Sequence, residues 1–422
     1  MSSTLSYPGP DTITRVVLAN GITILVRENH TTPVVVLEGM LDVGAVDDPS
    51  GKTGLSSFTT AMLSRGSARY TYAHFNETIE SVGASLYFSS ESDAANVGIT
   101  CLSEDFATLV DVMADALRNP TVPRPLFDIV RGQKLVRLQE REQDTSAMAA
   151  LRFYETVYGG HVLGLPVSGY VESVRAITRD DVAAFHARHY GPQGAIFAVS
   201  GDIAPQAAVD LLANALGGWQ ATPPARNLPA LPPLTQPTRL HVPMAGKVQS
   251  DILLGVQAVA RNHADFYAVR VANTILGVFG MMGRLGEVVR EQQGLAYYAY
   301  SSLDAGRDSG VWLAGAGVNP ADMERAVESM LAEIDNIAQA PVTAEELADA
   351  QAYLTGVLPL TLETNDGLAA TLLSMEWNAL GLDFLARYPA IINAVTVDDV
   401  QRVAHTYLRP EALAIVTAGS KA

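Results

Sequence analysis

A pattern that occurs twice at a fixed separation constrains this chain more than any single motif does. The segment from Ile177, ITRDDVAAFHARHYGPQGAIFAVSGD, returns from Val395 as VTVDDVQRVAHTYLRPEALAIVTAGS. At a constant offset of 218 residues, Thr178 meets Thr396, Asp180 meets Asp398, Asp181 meets Asp399, Val182 meets Val400, Pro192 meets Pro410 and Gly201 meets Gly419. That offset is about half of the 422-residue chain. Each copy reads as a threonine N-cap, acidic residues facing the positive helix end, an amphipathic helix, a proline break and an apolar strand. The two halves therefore end in the same helix and buried strand.

Between them runs GGWQATPPARNLPALPPLTQPTR, whose six prolines in 23 residues exclude both a helix and a central strand. This places the boundary near Leu228, with one domain over 1–228 and a second over 229–422. Each half opens on alternating strands, TRVVLANGITILVRE with a hairpin signal at Asn20-Gly21 and TRLHVPMAGKVQSDILLGVQAV in the second. Helical periodicity follows in both. The expected class is α+β: two homologous domains, each a mostly antiparallel sheet with helices packed on one face.

Composition narrows the function. Hydrophobic residues make up 48% of the chain and charged residues 17%, which suits a compact globule. A formal charge of -17 argues against nucleic acid and anionic lipid, since both need clustered cations. With no uninterrupted apolar run of ~18 residues and no basic or apolar leader at the start, the chain reads as cytoplasmic and not membrane-bound. The single cysteine, Cys101, lies in an apolar alternation and reads as a buried structural residue.

The segment LDVGAVDDPSGKTGLSSFTTAMLSRGSARY resembles the one in which the insulinase, pitrilysin and mitochondrial-processing-peptidase group of zinc peptidases carries its inverted zinc motif. There a helix bears His-x-x-Glu-His: two imidazoles four residues apart grip the metal, and the glutamate activates its water. The flanks persist here as Gly54, Phe58, Met62 and Gly66. The ligands do not. Ser57 and Ala61 stand at the two histidine positions and Thr60 at the glutamate position, and none can bind zinc or act as a strong base. The resemblance puts a third ligand, a glutamate, about 76 residues on. Anchoring on EREQDTSAMA places Arg137 there. Elsewhere, His186 and His189 share a helix face but no third ligand completes a site, and His74-Phe-Asn-Glu77 is followed by Thr78 instead of the histidine a motif would need.

The second half keeps more of the family pattern. DFYAVRVANTILGVFGMMGRLGEVVREQQGLAYYAYSSLDAG carries Asn273, Leu276, Gly277, Gly283-Arg284-Leu285, Val289-Arg290-Glu291 and Gly294-Leu295-Ala296-Tyr297. In relatives an arginine and a tyrosine seven apart project toward the zinc site, and these fall on Arg290 and Tyr297. A phenol can donate to an oxyanion and a guanidinium can orient a substrate carbonyl or carboxylate. The turn GVFGMMG lacks a Gly-Lys-Ser/Thr ending, and bulky Phe279, Met281 and Met282 argue against a phosphate loop.

The resemblance implies a clam-shell of two domains and a noncatalytic subunit of a heterodimeric zinc metallopeptidase. Such a chain binds no cofactor itself. It would supply Arg290 and Tyr297 in trans, for catalysis and substrate binding, to a homologous zinc-bearing partner that hydrolyses unfolded peptides. A peptide-binding or structural core subunit without proteolysis is the alternative. The acidic charge points to basic peptides as substrates.

Overall fold

The computed structural model describes residues 7–278 and 283–420; the turn residues 279–282, and with them Phe279, Met281 and Met282, lie outside the described residues. The strands are β1 (Thr14–Val17), β2 (Thr23–Glu28), β3 (Val34–Leu41), β4 (Ser85–Ser90), β5 (Ala95–Leu102), β6 (Ile196–Gly201), β7 (Thr238–Pro243), β8 (Ser250–Ala258), β9 (Ala296–Ala305), β10 (Gly310–Val318) and β11 (Ala414–Gly419). In the first half the helices are α1 (Leu55–Leu63), α2 (Tyr72–Glu80), α3 (Phe106–Arg118), α4 (Arg124–Arg141), α5 (Thr145–Val157), α6 (Val171–Ala176), α7 (Arg179–His189) and α8 (Pro205–Leu216). In the second they are α9 (Phe266–Asn273), α10 (Met323–Gln339), α11 (Ala344–Thr361), α12 (Asn365–Trp377), α13 (Phe384–Asn393) and α14 (Val397–Tyr407).

Two sheets form, ordered β1-β2-β6-β3-β5-β4 and β7-β11-β8-β10-β9. Removing the hairpin strand β1, which the Asn20-Gly21 turn pairs with β2, leaves two sheets of identical order. Both are antiparallel except for one pair, β2 with β6 and β7 with β11, in which the last strand of the half runs beside the first. The repeat seen in sequence is the unit that makes this pair. In α7 and α14 the threonine hydroxyl accepts from the N–H three residues on while the Asp181 and Asp399 carboxylates reach back, so the two helices start with the same capping box.

The chain divides into two compact units that do not follow chain order throughout. Unit 1 gathers the described residues up to Leu138, then Leu165–Leu228 and Pro359–Ala386; unit 2 gathers Gln139–Gly164, Pro229–Leu358 and Arg387 onward. In unit 1 one face of the sheet, with Ile24, Val35, Leu37, Val97 and Val199, is buried under helices of the same half. Leu25, Val36 and Ala198 point the other way and are also fully buried. Their cover is α12, whose Asn365 accepts from Ser200 Oγ at 3.2 Å on that face and whose Glu376 pairs with Arg15 at 2.6 Å. In unit 2 the matching face, with Leu253, Val311, Leu313 and Val416, is covered by Ala149, Phe153 and Val157 of α5. Each sheet thus borrows one helix from the opposite half of the sequence.

Register in both sheets is marked by tyrosine rings lying over glycines on the neighbouring strand. Tyr87 faces Gly98, Tyr300 faces Gly315 and Tyr298 faces Gly317, and a β-carbon on any of these glycines would collide with the ring. Among the described residues no helix is long and apolar enough to cross a membrane.

Candidate functional site

Helix α1 is held at its start by a carboxylate rather than by a side chain of its own N-cap. Gly54 occupies the N-cap at φ 97°, a left-handed conformation that favours glycine. Asp48 accepts from the N–H of Gly54 at 2.6 Å and of Ser56 at 2.7 Å, satisfying donors a helix terminus leaves open. Leu55, Phe58, Met62 and Leu63 then bury one side of the helix. This scaffold aims Ser57, Thr60 and Ala61 at their neighbours.

The three residues do separate things. Thr60 Oγ1 donates to the Ser56 carbonyl at 3.0 Å and lies 2.9 Å from the hydroxyl of fully buried Tyr190. Ala61 packs against the core. Lys134 of α4 donates from Nζ to Ser57 Oγ at 2.7 Å. Arg137 is exposed one turn further along the same helix, so the α4 side chain in contact with Ser57 is Lys134. A hydroxyl, a second hydroxyl, a methyl and an ammonium do not fit a zinc ion, since an ammonium has no lone pair to give and carries like charge. Among the described residues no group of three or more His, Cys, Asp or Glu could hold a metal.

Burial leaves this corner electrostatically tense. Desolvation pushes Lys134 down to about 8, with Arg137 adding to the effect and Asp48 opposing it. Desolvation pushes Asp48 up to about 7 against the pull of its backbone donors. The folded pKa of Asp48 thus lies above its unfolded value near ~4, so its stabilising contribution is whole below pH ~4 and is lost as pH rises through about 7. The parent should therefore lose up to ~4 kcal/mol of stability relative to Asp48→Asn between pH 4 and pH 7.5. Urea unfolding of both proteins at several pH values checks this; a stability difference that does not move with pH refutes it.

His74, His186 and His189, the histidines singled out in the sequence, sit in helices and make local contacts. His186 Nε2 donates to the Leu117 carbonyl at 2.8 Å and its ring stacks on Tyr190, while the His189 ring stacks on Phe185. His74 and Glu77 sit within α2, which runs through the tempting half motif as an ordinary helix. Cys101 is buried on β5, and burial pushes its thiol up to about 12.

In unit 2, Arg290 lies in a π-helical segment, Gly286–Gln292, and its guanidinium stands 3.7 Å from Glu291. Tyr297 is 60% exposed near the start of edge strand β9. It is the extra residue of a β-bulge: Ala296 pairs with Val318 and Tyr298 with Gly317, leaving Tyr297 opposite no partner. Tyr298 and Tyr300, two apart, share one face of the strand, and Tyr297 sits just before them at the irregularity. Seven residues apart in sequence, Arg290 and Tyr297 lie on consecutive elements joined through Gly294 at φ 64°.

Sequence reasoning missed one polar knot beside them. Asp251, 2% exposed on β8, accepts from Tyr298 Oη, from Gln249 Nε2 at 3.0 Å and from Thr145 Oγ1 of α5 at 2.5 Å. The signal available was weak, a lone aspartate opening an apolar strand. The Lys134 contact had a better one, namely a cation 77 positions beyond Ser57 on a helix.

Comparison with known proteins gives a consistent picture. Residues 23–169 match the model described as Insulinase (Peptidase family M16), and residues 176–354 the one described as Peptidase M16 inactive domain. An uncharacterised zinc protease of Streptomyces coelicolor is 27% identical over 95% of this chain and 88% of its own length. The human mitochondrial-processing peptidase subunit beta is 24% identical over 56% of this chain and 48% of its own. A peptidase M16 inactive domain from Pseudomonas fluorescens superposes with a TM-score of 0.90 at 23% identity, covering 97% of this chain and 98% of that one. A protease from Helicobacter pylori does so with a TM-score of 0.90 at 20% identity, covering 98% and 100%.

Proposed function

Because the chain belongs to the insulinase-like M16 peptidase family, we propose that it is a noncatalytic subunit that completes the site of a homologous, zinc-bearing partner in a heterodimeric peptidase. The metal would be the partner's, since Ser57, Thr60, Ala61 and Lys134 leave no ligand set here and Arg137 offers none. What this chain would contribute is Tyr297, as a hydrogen-bond donor to the peptide carbonyl oxygen, and Arg290, to orient a substrate carbonyl or carboxylate. The observation that carries this reading is the bulge under Tyr297. The ladder of β9 and β10 carries an extra residue at a phenol that is 60% exposed, and bulges are over-represented beside active sites. We place the pair in the cytoplasm, where a single buried thiol suits the reducing conditions.

The test is hydrolysis of a quenched fluorescent peptide by this chain, by a zinc-bearing M16 chain encoded beside it, and by the two mixed. Activity should require the mixture. Tyr297→Phe should lower kcat by roughly 100- to 1,000-fold, the cost of losing one preorganised donor to a developing oxyanion, with KM changed much less. Arg290→Ala should act mainly through KM. Unfolded basic peptides should be favoured by the chain's charge of -17, with cleavage falling as salt rises. Absence of activity in every mixture would instead assign a peptide-binding or structural role.

A further inference from the structure

The corner of unit 1 that has no metal ligands holds a hydroxyl against an amine, and that pairing has its own chemistry. Lys134 Nζ and Ser57 Oγ are 2.7 Å apart. The lysine passes beside the Phe58 ring, with Nζ 5.8 Å from its centroid, and is half-buried. Ser57 itself is only half-buried, in the first turn of α1. A serine hydroxyl becomes a nucleophile when a base within hydrogen-bond reach can take its proton, and an uncharged lysine amine is such a base. A lysine kept in water is protonated at neutral pH and cannot serve. Burial shifts Lys134 to about 8, so a useful fraction is neutral from mildly alkaline pH upward.

We propose that Ser57 and Lys134 form a metal-independent acyl-transfer pair acting on uncharged carboxylic esters, with Ser57 as the nucleophile and Lys134 as its base. As the Ser57 Oγ–carbon bond forms, the Oγ proton passes to the neutral amine. The resulting ammonium returns that proton to the departing alkoxide as the ester C–O bond breaks, leaving an acyl-serine and an alcohol. Water, deprotonated by the same amine, then releases the acid and restores Ser57. No metal, oxidant or second substrate enters. The activity is separate from the half-site role of unit 2 and does not depend on it.

The probes are p-nitrophenyl acetate and a fluorophosphonate, each applied to the full chain in EDTA, with the adduct located by mass spectrometry. The adduct should fall on Ser57, and its rate should climb as pH rises through about 8. Two charged groups bear on the amine, Asp48 from the loop before α1 and Arg137 on α4. Since Asp48 raises the lysine's pKa, Asp48→Asn should move the profile to lower pH. Lys134→Arg keeps a cationic donor but removes the base, and should slow labelling by about 100-fold or more; Ser57→Ala should abolish the adduct. If Ser57→Ala does not fold, the wild-type adduct position and the Lys134→Arg rate still decide. No adduct on Ser57 at pH 9, an adduct on Lys134 instead, or wild-type labelling in Lys134→Arg would each overturn the proposal.

Discussion

Residues 1–228 produced alone are expected to show no cooperative unfolding transition, and to regain one when residues 359–386 are added through a flexible linker. In the intact protein Leu25, Val36 and Ala198 are covered by α12, whose Leu368, Leu372 and Leu373 are themselves buried. Each Leu or Val side chain taken out of water contributes roughly 1.5–3 kcal/mol. Five such side chains amount to about 10 kcal/mol, comparable with the whole net stability of an ordinary domain at ~5–15 kcal/mol. The fragment also keeps α5 without the sheet that Phe153 covers, which leaves an apolar stripe exposed. Urea titration followed by circular dichroism and tryptophan fluorescence separates the outcomes. A steep two-state curve from 1–228 alone would mean that α12 is dispensable to unit 1.

The second expected result concerns the metal. Ser57→His, Ala61→His and Lys134→Glu combined should create a zinc site on α1. The two histidines would share one face of α1 at a spacing of four, and the carboxylate would replace the side chain already touching position 57. The same three changes remove a buried ammonium and its clash with a cation. Zinc at about 1,000 times its dissociation constant should then raise stability by ~4 kcal/mol, reversibly with chelator, while the parent should not respond. A second triple variant carrying Arg137→Glu in place of Lys134→Glu is the control. Should that control bind zinc and the first variant not, the ligand position is Arg137, as the sequence spacing suggests, and the Lys134 contact is incidental.

Only part of this fold and site was legible in the sequence. The repeated helix and strand were, because a capping threonine, two first-turn acids and a proline break are local signals that tertiary packing need not supply. The six prolines around Leu228 restrict the backbone there, but which segments gather into each unit is set by packing that no local signal carries. The borrowed helices were not legible. An amphipathic stripe such as Ala149, Phe153 and Val157 says that one face seeks cover, but nothing in its periodicity says which sheet provides it. The parallel pairing of β2 with β6 was hidden because strand order across a sheet is a non-local property. At the candidate site, residue types at positions 57, 60 and 61 could be read directly, but not what they touch, because the contact between Ser57 and Lys134 joins two helices far apart in sequence. The bulge at Tyr297 was equally hidden, since Tyr-Tyr-Ala-Tyr scans as an unbroken alternation.

That bulge makes the phenol a removable part. Deleting Tyr297 would bring Ala296 directly before Tyr298 and restore plain pairing with β10, while Tyr298 and Tyr300 stayed over Gly317 and Gly315. Deleting a residue between Tyr298 and Tyr300 would instead shift one ring off its glycine and reverse the faces of what precedes it. A lineage of such chains could therefore gain or lose the exposed tyrosine by a single codon insertion or deletion without rebuilding the sheet. The scaffold and this exposed phenol can evolve on separate clocks.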